Sequence, residues 1–396
     1  MGSKLFLGIT SLLLLAALTQ AKTLDVRMYG AKADQRTDDG KAIFHAWKDA
    51  CHSKDHTTIL IPQGQYKVGP LTFSGPCNAP SISFNVQGTL LAPIHLNRFK
   101  SQDGWFNFQY LNNLEVYGGG VFDGQGAVAW SINNCAKVGK CNSLPINIKM
   151  HMLNNSAFRD ITSRNSKLFH MNVQSVHNLT MQRITIEAPP ESLNTDGIHI
   201  GRSKGVYITD SKIHTGDDCI SLGDGSQEIT IENVTCTSGH GFSVGSLGKY
   251  QNEEPVKGVY MRNCTLSNTD NGIRIKTWPG SASGIASDIH FEDFVMNNVS
   301  YPIDINQIYC PYNQCLNKIP SRVRIYNVSF KNIRGSSSTQ TAVKLICSSS
   351  VPCQNVELSD ISLKYNGNGT VVSECSHVKP KLSGTIVPLA CTKISH

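Results

Sequence analysis

A chain of 396 residues with a formal charge of +7 and only 16% charged residues is mildly basic and no more. It holds no long lysine- or arginine-rich tract, so a nucleic-acid partner is a poor match, while an acidic extracellular polymer suits the sign of the charge. Past the first 21 residues nothing is long and apolar enough to cross a bilayer, which speaks against a membrane-embedded protein.

In chain order, Lys4 is followed by the apolar run LFLGITSLLLLAAL and then by small residues ahead of Lys22. That order of charge, short apolar run and small residues predicts a secretory signal peptide over residues 1–21, leaving residues 22–396 as one exported domain. Thirteen cysteines fit an oxidising compartment, with one thiol left over if the others pair. Cys347–Cys353 and Cys375–Cys391 are near neighbours and plausible bridges, although spacing alone does not fix connectivity. N-x-S/T sequons begin at Asn154, Asn178, Asn233, Asn263, Asn298, Asn327 and Asn368; glycans suit export, and the recurring N-V-T/S wording equally suits structural asparagines.

LDVRMYGAKADQRTDDG and then KAIFHAWKDAC read as a strand, a loop and an amphipathic helix whose apolar face is Ala42, Ile43, Ala46, Trp47 and Ala50. Residues 22–175 otherwise carry few strand signals. From about residue 176 a pattern recurs: LTMQRITI (179–186), VYITDSKI (206–213), ITIENVTC (229–236), VYMRNCTL (259–266), IHFEDFVM (289–296), VRIYNVSF (323–330) and VELSDISL (356–363). Alternation of apolar and polar residues means half-buried strands, and repetition every 23 to 34 residues means a solenoid. A sandwich of look-alike strands is the alternative, but seven related segments in order weigh against it. The expectation is an all-β, right-handed parallel β-helix with a short N-terminal capping helix, its coils stacked about 4.8 Å apart.

Asp196 in NTDGIHIG lies 22 residues before Asp218 in GDDCISLG, and His240 in GHGFSVGSLG lies 22 after it. A coil takes about that length, so the three should stack on one face. Arg274 and Lys276 in GIRIKTW come one coil later, after the loop KYQNEEPV, and being two apart they share a strand face. Asp217 and Asp218 follow Gly216 and precede an alternating run, so the pair belongs to a bend from which both acids face one groove. Crowding with Asp196 should leave one carboxyl holding its proton beside ionised neighbours. Glycoside hydrolysis needs that combination: one group protonates the leaving oxygen while another activates water. Taken singly, each residue has a duller reading: turn aspartates, a solvated or calcium-binding acid pair, a turn-capping histidine, a solvated basic strand face. Trp278 could stack on a sugar or pack beneath the cleft. The remaining histidines, His199 and His214 among them, are given no role.

NTDGIHI, GDDCISLG, GHGFSVGSLG and RIK, in that order, resemble the polygalacturonases of glycoside hydrolase family 28, most closely the plant pollen-type members. The resemblance implies a secreted enzyme of the plant cell wall that hydrolyses α-1,4 bonds of polygalacturonate with inversion, as a monomer and without metal or other cofactor. By position, Asp217 matches the proton donor, Asp196 and Asp218 the pair that activates water, and His240 the histidine beside the donor. Arg274 and Lys276 match the groups that hold the galacturonate carboxylate; Asn194 and Tyr309 match other cleft positions, although NQI ahead of Tyr309 departs from the family wording. Cys219 and Cys236 match a disulfide beside the donor. Attack from the chain end is slightly favoured over internal cutting. Inversion also requires about 6.5–9.5 Å between acid and base. The rival readings are a calcium-dependent pectate lyase and a non-catalytic binding protein of the wall.

Overall fold

One apolar residue from each repeated segment decides the architecture. Leu179, Val206, Ile229, Val259, Ile289, Val328 and Val356 stand in register in successive parallel strands, each at most 1% exposed. Because consecutive coils pair in parallel with a crossover between them, the winding is right-handed, and the chain is a right-handed parallel β-helix. The computed structural model describes residues 22–100, 102–134, 144–313, 315, 318–391, 393 and 394; the leader expected over residues 1–21 lies outside them. Among the described residues no helix is long and apolar enough to cross a membrane.

The coils also occupy residues 22–175, where the sequence carries few strand signals. Ile59, Phe84, Val116 and Phe158 form the N-terminal part of a neighbouring buried column, the one that runs on through Met181. Their strands are short and unevenly spaced, 25, 32 and 42 residues separating Ile59, Phe84, Val116 and Phe158, which hides the likeness. Helix α1 (Gly40–His52) covers this end as expected. Its Trp47 stacks on Phe84 at 5.9 Å and meets Phe73 edge-on at 5.2 Å, so an apolar face that would otherwise meet water closes the solenoid.

One sheet of 12 parallel strands carries the groove described below. In chain order these are β1 (Leu71–Ser74), β2 (Gly104–Gln109), β3 (Ile146–His151), β4 (Met171–Gln174), β5 (Ile198–Gly201) and β6 (Asp218–Leu222). There follow β7 (Gly241–Leu247), β8 (Asn271–Thr277), β9 (Tyr301–Asn306), β10 (Thr341–Ile346), β11 (Val372–Ser376) and β12 (Lys393–Ile394). The remaining paired strands form a second sheet of 21 that wraps the rest of each coil.

The N-V-T/S wording has a conformational cause. Asn178, Asn233, Asn263, Asn298 and Asn327 all adopt left-handed backbone, φ 53 to 58°, which asparagine tolerates better than other residues with a side chain. Several bond to the coil before: Asn178 Nδ2 donates to Asn155 Oδ1 (2.8 Å), Asn233 to Asp210 (2.7 Å) and Asn298 to Asn268 (2.9 Å). Disulfides join Cys51–Cys77, Cys219–Cys236, Cys310–Cys315, Cys347–Cys353 and Cys375–Cys391. Cys264 is the reduced cysteine among the described residues; burial pushes its thiol up to about 12, which makes it unreactive.

Candidate active site

The inward residues of β5 to β8 are Ile198, Ile220, Phe242 and Ile273, stacked in register in the core. Alternation then turns their neighbours His199, Ser221, Ser243 and Arg274 outward as a second column, with Lys276 two residues beyond Arg274. Asp196, Asp217 and His240 sit just ahead of β5, β6 and β7, and Asp218 opens β6. As the bend argument required, Asp217 precedes the strand, and its Oδ1 accepts the Asp218 N–H at 2.7 Å. Thr195 Oγ1 accepts the Gly216 N–H (3.1 Å), tying the Asp196 loop to this bend.

The equal spacing that set His240 above Asp218 misplaces it by one residue. A register shift after Asp218 pairs that residue with Gly241, so His240 stands beside Asp217. The His240 N–H donates to the Asp217 carbonyl at 2.9 Å, and its Nδ1 lies 2.9 Å from Asp217 Oδ1. The flanking Gly239 and Gly241 have φ of 69 and 80°, and a Cβ on either would strike backbone of an adjoining coil. Only glycine lets the imidazole enter there. Asn194 Nδ2 donates to the other Asp217 oxygen at 3.3 Å, and Asn133 Nδ2 donates to Asn194 Oδ1 at 3.1 Å.

Asp218 is where the cations went. Arg274 Nη2 donates to Oδ1 at 3.0 Å, Lys276 Nζ to Oδ2 at 2.7 Å, and Ser243 Oγ to Oδ1 at 2.8 Å. The Asp218 side chain is 3% exposed and that of Asp217 16%, so the pair divides into a sealed acid and a more open one. Burial works against the Asp218 charge, but Lys276 and Arg274 overcome it and hold the carboxyl at about 2. Asp196 behaves oppositely: burial, then the charges of Asp217 and Asp218, lift it well above the usual carboxylate range, and Ser221 Oγ at 3.2 Å does not compensate. Of the crowded acids, Asp196 is therefore the one disposed to keep its proton. Burial disfavours charge on His240, yet its bond to Asp217 and that carboxylate's charge raise it above the ordinary histidine range. Tyr309 lies against the cations, its ring 5.2 Å from Lys276 Nζ and 5.8 Å from the Arg274 guanidinium.

One oxygen each of Asp217 and Asp218 and a ring nitrogen of His240 lie within 4.8 Å of one another. This is closer than the acid–base separation expected for an inverting site, because the two acids share one bend instead of facing each other across the groove. As a cation site the set is poor: both Asp218 oxygens already meet cations, and calcium takes about 6–8 oxygen ligands.

The family model for glycosyl hydrolases family 28 matches residues 51–391. The chain belongs to glycosyl hydrolases family 28. It is 53% identical to an exopolygalacturonase of Arabidopsis thaliana, over 94% of this chain and 84% of that protein. A polygalacturonase of Gossypium hirsutum is 51% identical over 95% and 92% of the two chains. The fold matches the crystal structure of an endo-xylogalacturonan hydrolase from Aspergillus tubingensis with a TM-score of 0.77 at 23% identity, over 89% and 98% of the two chains.

All eight residues singled out in the sequence of this family 28 member gather in or beside one groove. Four neighbours had no role assigned from the sequence. Ser221 and Ser243 link Asp196 to His199 and Asp218 to Arg274, but a serine in a strand carries no signal until the register is known. His199, which received no role, meets Ser221 Oγ at 2.8 Å, and burial pushes its imidazole down to about 4, keeping it neutral. Asn271 Nδ2 holds the His240 carbonyl at 3.2 Å. Trp278 packs edge-on to Tyr309 at 5.8 Å beneath Lys249, 5.2 Å from its ring.

Proposed function

We propose that this chain is a secreted polygalacturonase that hydrolyses α-1,4-galacturonosyl bonds of polygalacturonate, removing galacturonate from the chain end. The observation that carries the reading is an open carboxyl, Asp217, hydrogen-bonded to the His240 imidazole and adjacent in the chain to Asp218, a carboxylate locked by two cations. Asp217 is the donor: its carboxyl proton passes to the leaving oxygen, with Asn194 at Oδ2 orienting the group and His240 at Oδ1 returning a proton to it afterwards. Asp218 stays ionised and draws the proton from the attacking water, which Asp196 beside it helps to position. Arg274 and Lys276 receive the sugar carboxylate, for which the guanidinium fork is suited, and Tyr309 backs them. A substrate carboxylate arriving there competes with Asp218 for the same cations. It loosens their hold, so Asp218 becomes more basic as the sugar is seated.

The short separation between Asp217 and Asp218 would suit a covalent, retaining route, but Asp218 makes a poor nucleophile. Its Oδ1 is taken by Ser243 and Arg274 and its Oδ2 by Lys276. Water therefore attacks, and the anomeric configuration inverts. Activity belongs to acidic pH and falls as His240 loses its proton at its elevated pKa. Residues 1–21 would be cleaved on export to the wall, where the single-domain enzyme works as a monomer.

Timed product analysis on polygalacturonate tests the reading. Free galacturonate from the first minutes, without ultraviolet-absorbing unsaturated ends and unaffected by chelator, is expected. Unsaturated, chelator-sensitive products would replace the hydrolase with a lyase. Mixed oligomers at the outset would replace end-cutting with internal cutting, and tight binding without new reducing ends would leave a binding protein.

A further inference from the structure

Asp304 lies within β9 between Ile303 and Ile305, both fully buried in the core. Alternation turns it to the groove face, where its register partners are Arg274 on β8 and Lys344 on β10. Two cations on adjacent rungs should neutralise a carboxylate, yet neither does so. Arg274 directs Nε to Ser243 (3.2 Å) and Nη2 to Asp218 (3.0 Å), away from β9. Lys344 Nζ lies 5.7 Å from the Tyr301 ring. Asp304 is only 3% exposed, and its enclosed Oδ1 has no hydrogen-bond partner. A buried, unpaired carboxyl remains neutral in acid and, once ionised, must find a cation.

We propose that Asp304 sets the pH range over which the groove accepts a uronate, by leaving Arg274 and Lys276 to the sugar carboxylate while neutral and contesting them once ionised. The inference rests on the polygalacturonase reading. The charged and titratable groups around Asp304 support it: Arg274 and Lys276 on β8, Lys344 on β10, Asp218 beyond Arg274, and Tyr309 after β9. Asp218 is held at about 2 and Tyr309 is pushed by burial up to about 12, so neither changes charge in mild acid. Burial lifts Asp304 to about 6 against the pull of Lys344, Arg274 and Lys276. Asp196 and His240 titrate on the catalytic side, where they govern turnover. Asp304 governs capture, because an ionised carboxylate there repels the incoming one and draws Arg274 from it. It is a positioning residue acting through Arg274.

The test is KM for trigalacturonate between about pH 4 and 8, in the full-length mature enzyme and in Asp304→Asn. The wild-type KM should rise about tenfold per pH unit above about 6, whereas that of Asp304→Asn should vary by no more than about twofold, the kcat profile keeping its shape. Lys344→Met provides a second arm: losing that cation should move the wild-type inflection in KM to higher pH. A KM curve in Asp304→Asn that superimposes on wild type, or an unmoved inflection in Lys344→Met, would overturn the proposal. A wild-type enzyme releasing no reducing ends at any pH would instead remove the reading on which it rests.

Discussion

The two faces of the groove strands follow opposite rules. Inward stand Met171, Ile198, Ile220, Phe242, Ile273, Ile303 and Val343, all apolar, in register and at most 1% exposed. Outward, on the very next residues, stand Asn172, His199, Ser221, Ser243, Arg274, Asp304 and Lys344. The inner column is redundant, since each rung packs on two like it. The outer one interlocks, since Asp218, Ser243, Arg274 and Lys276 complete one another's hydrogen bonds. A change on the inner face should therefore cost stability in proportion to volume and spare the chemistry, whereas a change on the outer face should spread to partners.

The largest effect should come from Asp217→Asn, which keeps the shape of the bend but cannot donate a proton as an acid. Turnover should fall about 10³-fold, within the usual range for a lost general acid, while polygalacturonate binding persists. Near-normal turnover would place the donor elsewhere. Next comes Arg274→Ala, which leaves buried Asp218 with one cation. A loss of about 3–5 kcal/mol in chemical unfolding is expected, together with a raised KM. The pH dependence has a definite sign. Asp218 is held at about 2, below its unfolded value, so its contribution is complete above about pH 4 and disappears as pH falls through about 2. Stability of Arg274→Ala should therefore depend less on pH across that window than wild type, and equal slopes would refute the assignment.

On the inner face, Ile220→Ala should cost about 2–5 kcal/mol by cavity formation. At temperatures where it stays folded, kcat and KM should remain near wild type; a large kinetic loss would show that the two faces are not independent. The smallest effect should be Asn178→Ala, which removes a ladder bond and places alanine in left-handed backbone, for about 1–2 kcal/mol and no kinetic change.

The same contrast explains what the sequence disclosed. Inner-face residues repeat, so the solenoid is legible wherever the repeats resemble one another. It fades where the coils are of uneven length, as between Ile59 and Phe158. Outer-face residues are legible only when their chemistry is rare: adjacent acids at Asp217–Asp218, imidazole between glycines at His240, two cations at Arg274 and Lys276. Register was the hidden variable. One residue's shift between β6 and β7 moved His240 from Asp218 to Asp217, and only folding revealed that Arg274 and Lys276 bind Asp218. Asp304 did leave a signal, a lone carboxylate between two isoleucines in YPIDIN, which alternation alone would have turned toward the groove.

The central claim is that Asp217 protonates the leaving oxygen while water, governed by a cation-locked Asp218, attacks the anomeric carbon. Proton NMR of the first galacturonate released from polygalacturonate, recorded before mutarotation, tests this most directly. The β anomer should appear first and then decay toward equilibrium. Initial release of the α anomer would contradict the account, because it would require Asp218 to act as a nucleophile despite the three hydrogen bonds that occupy its oxygens.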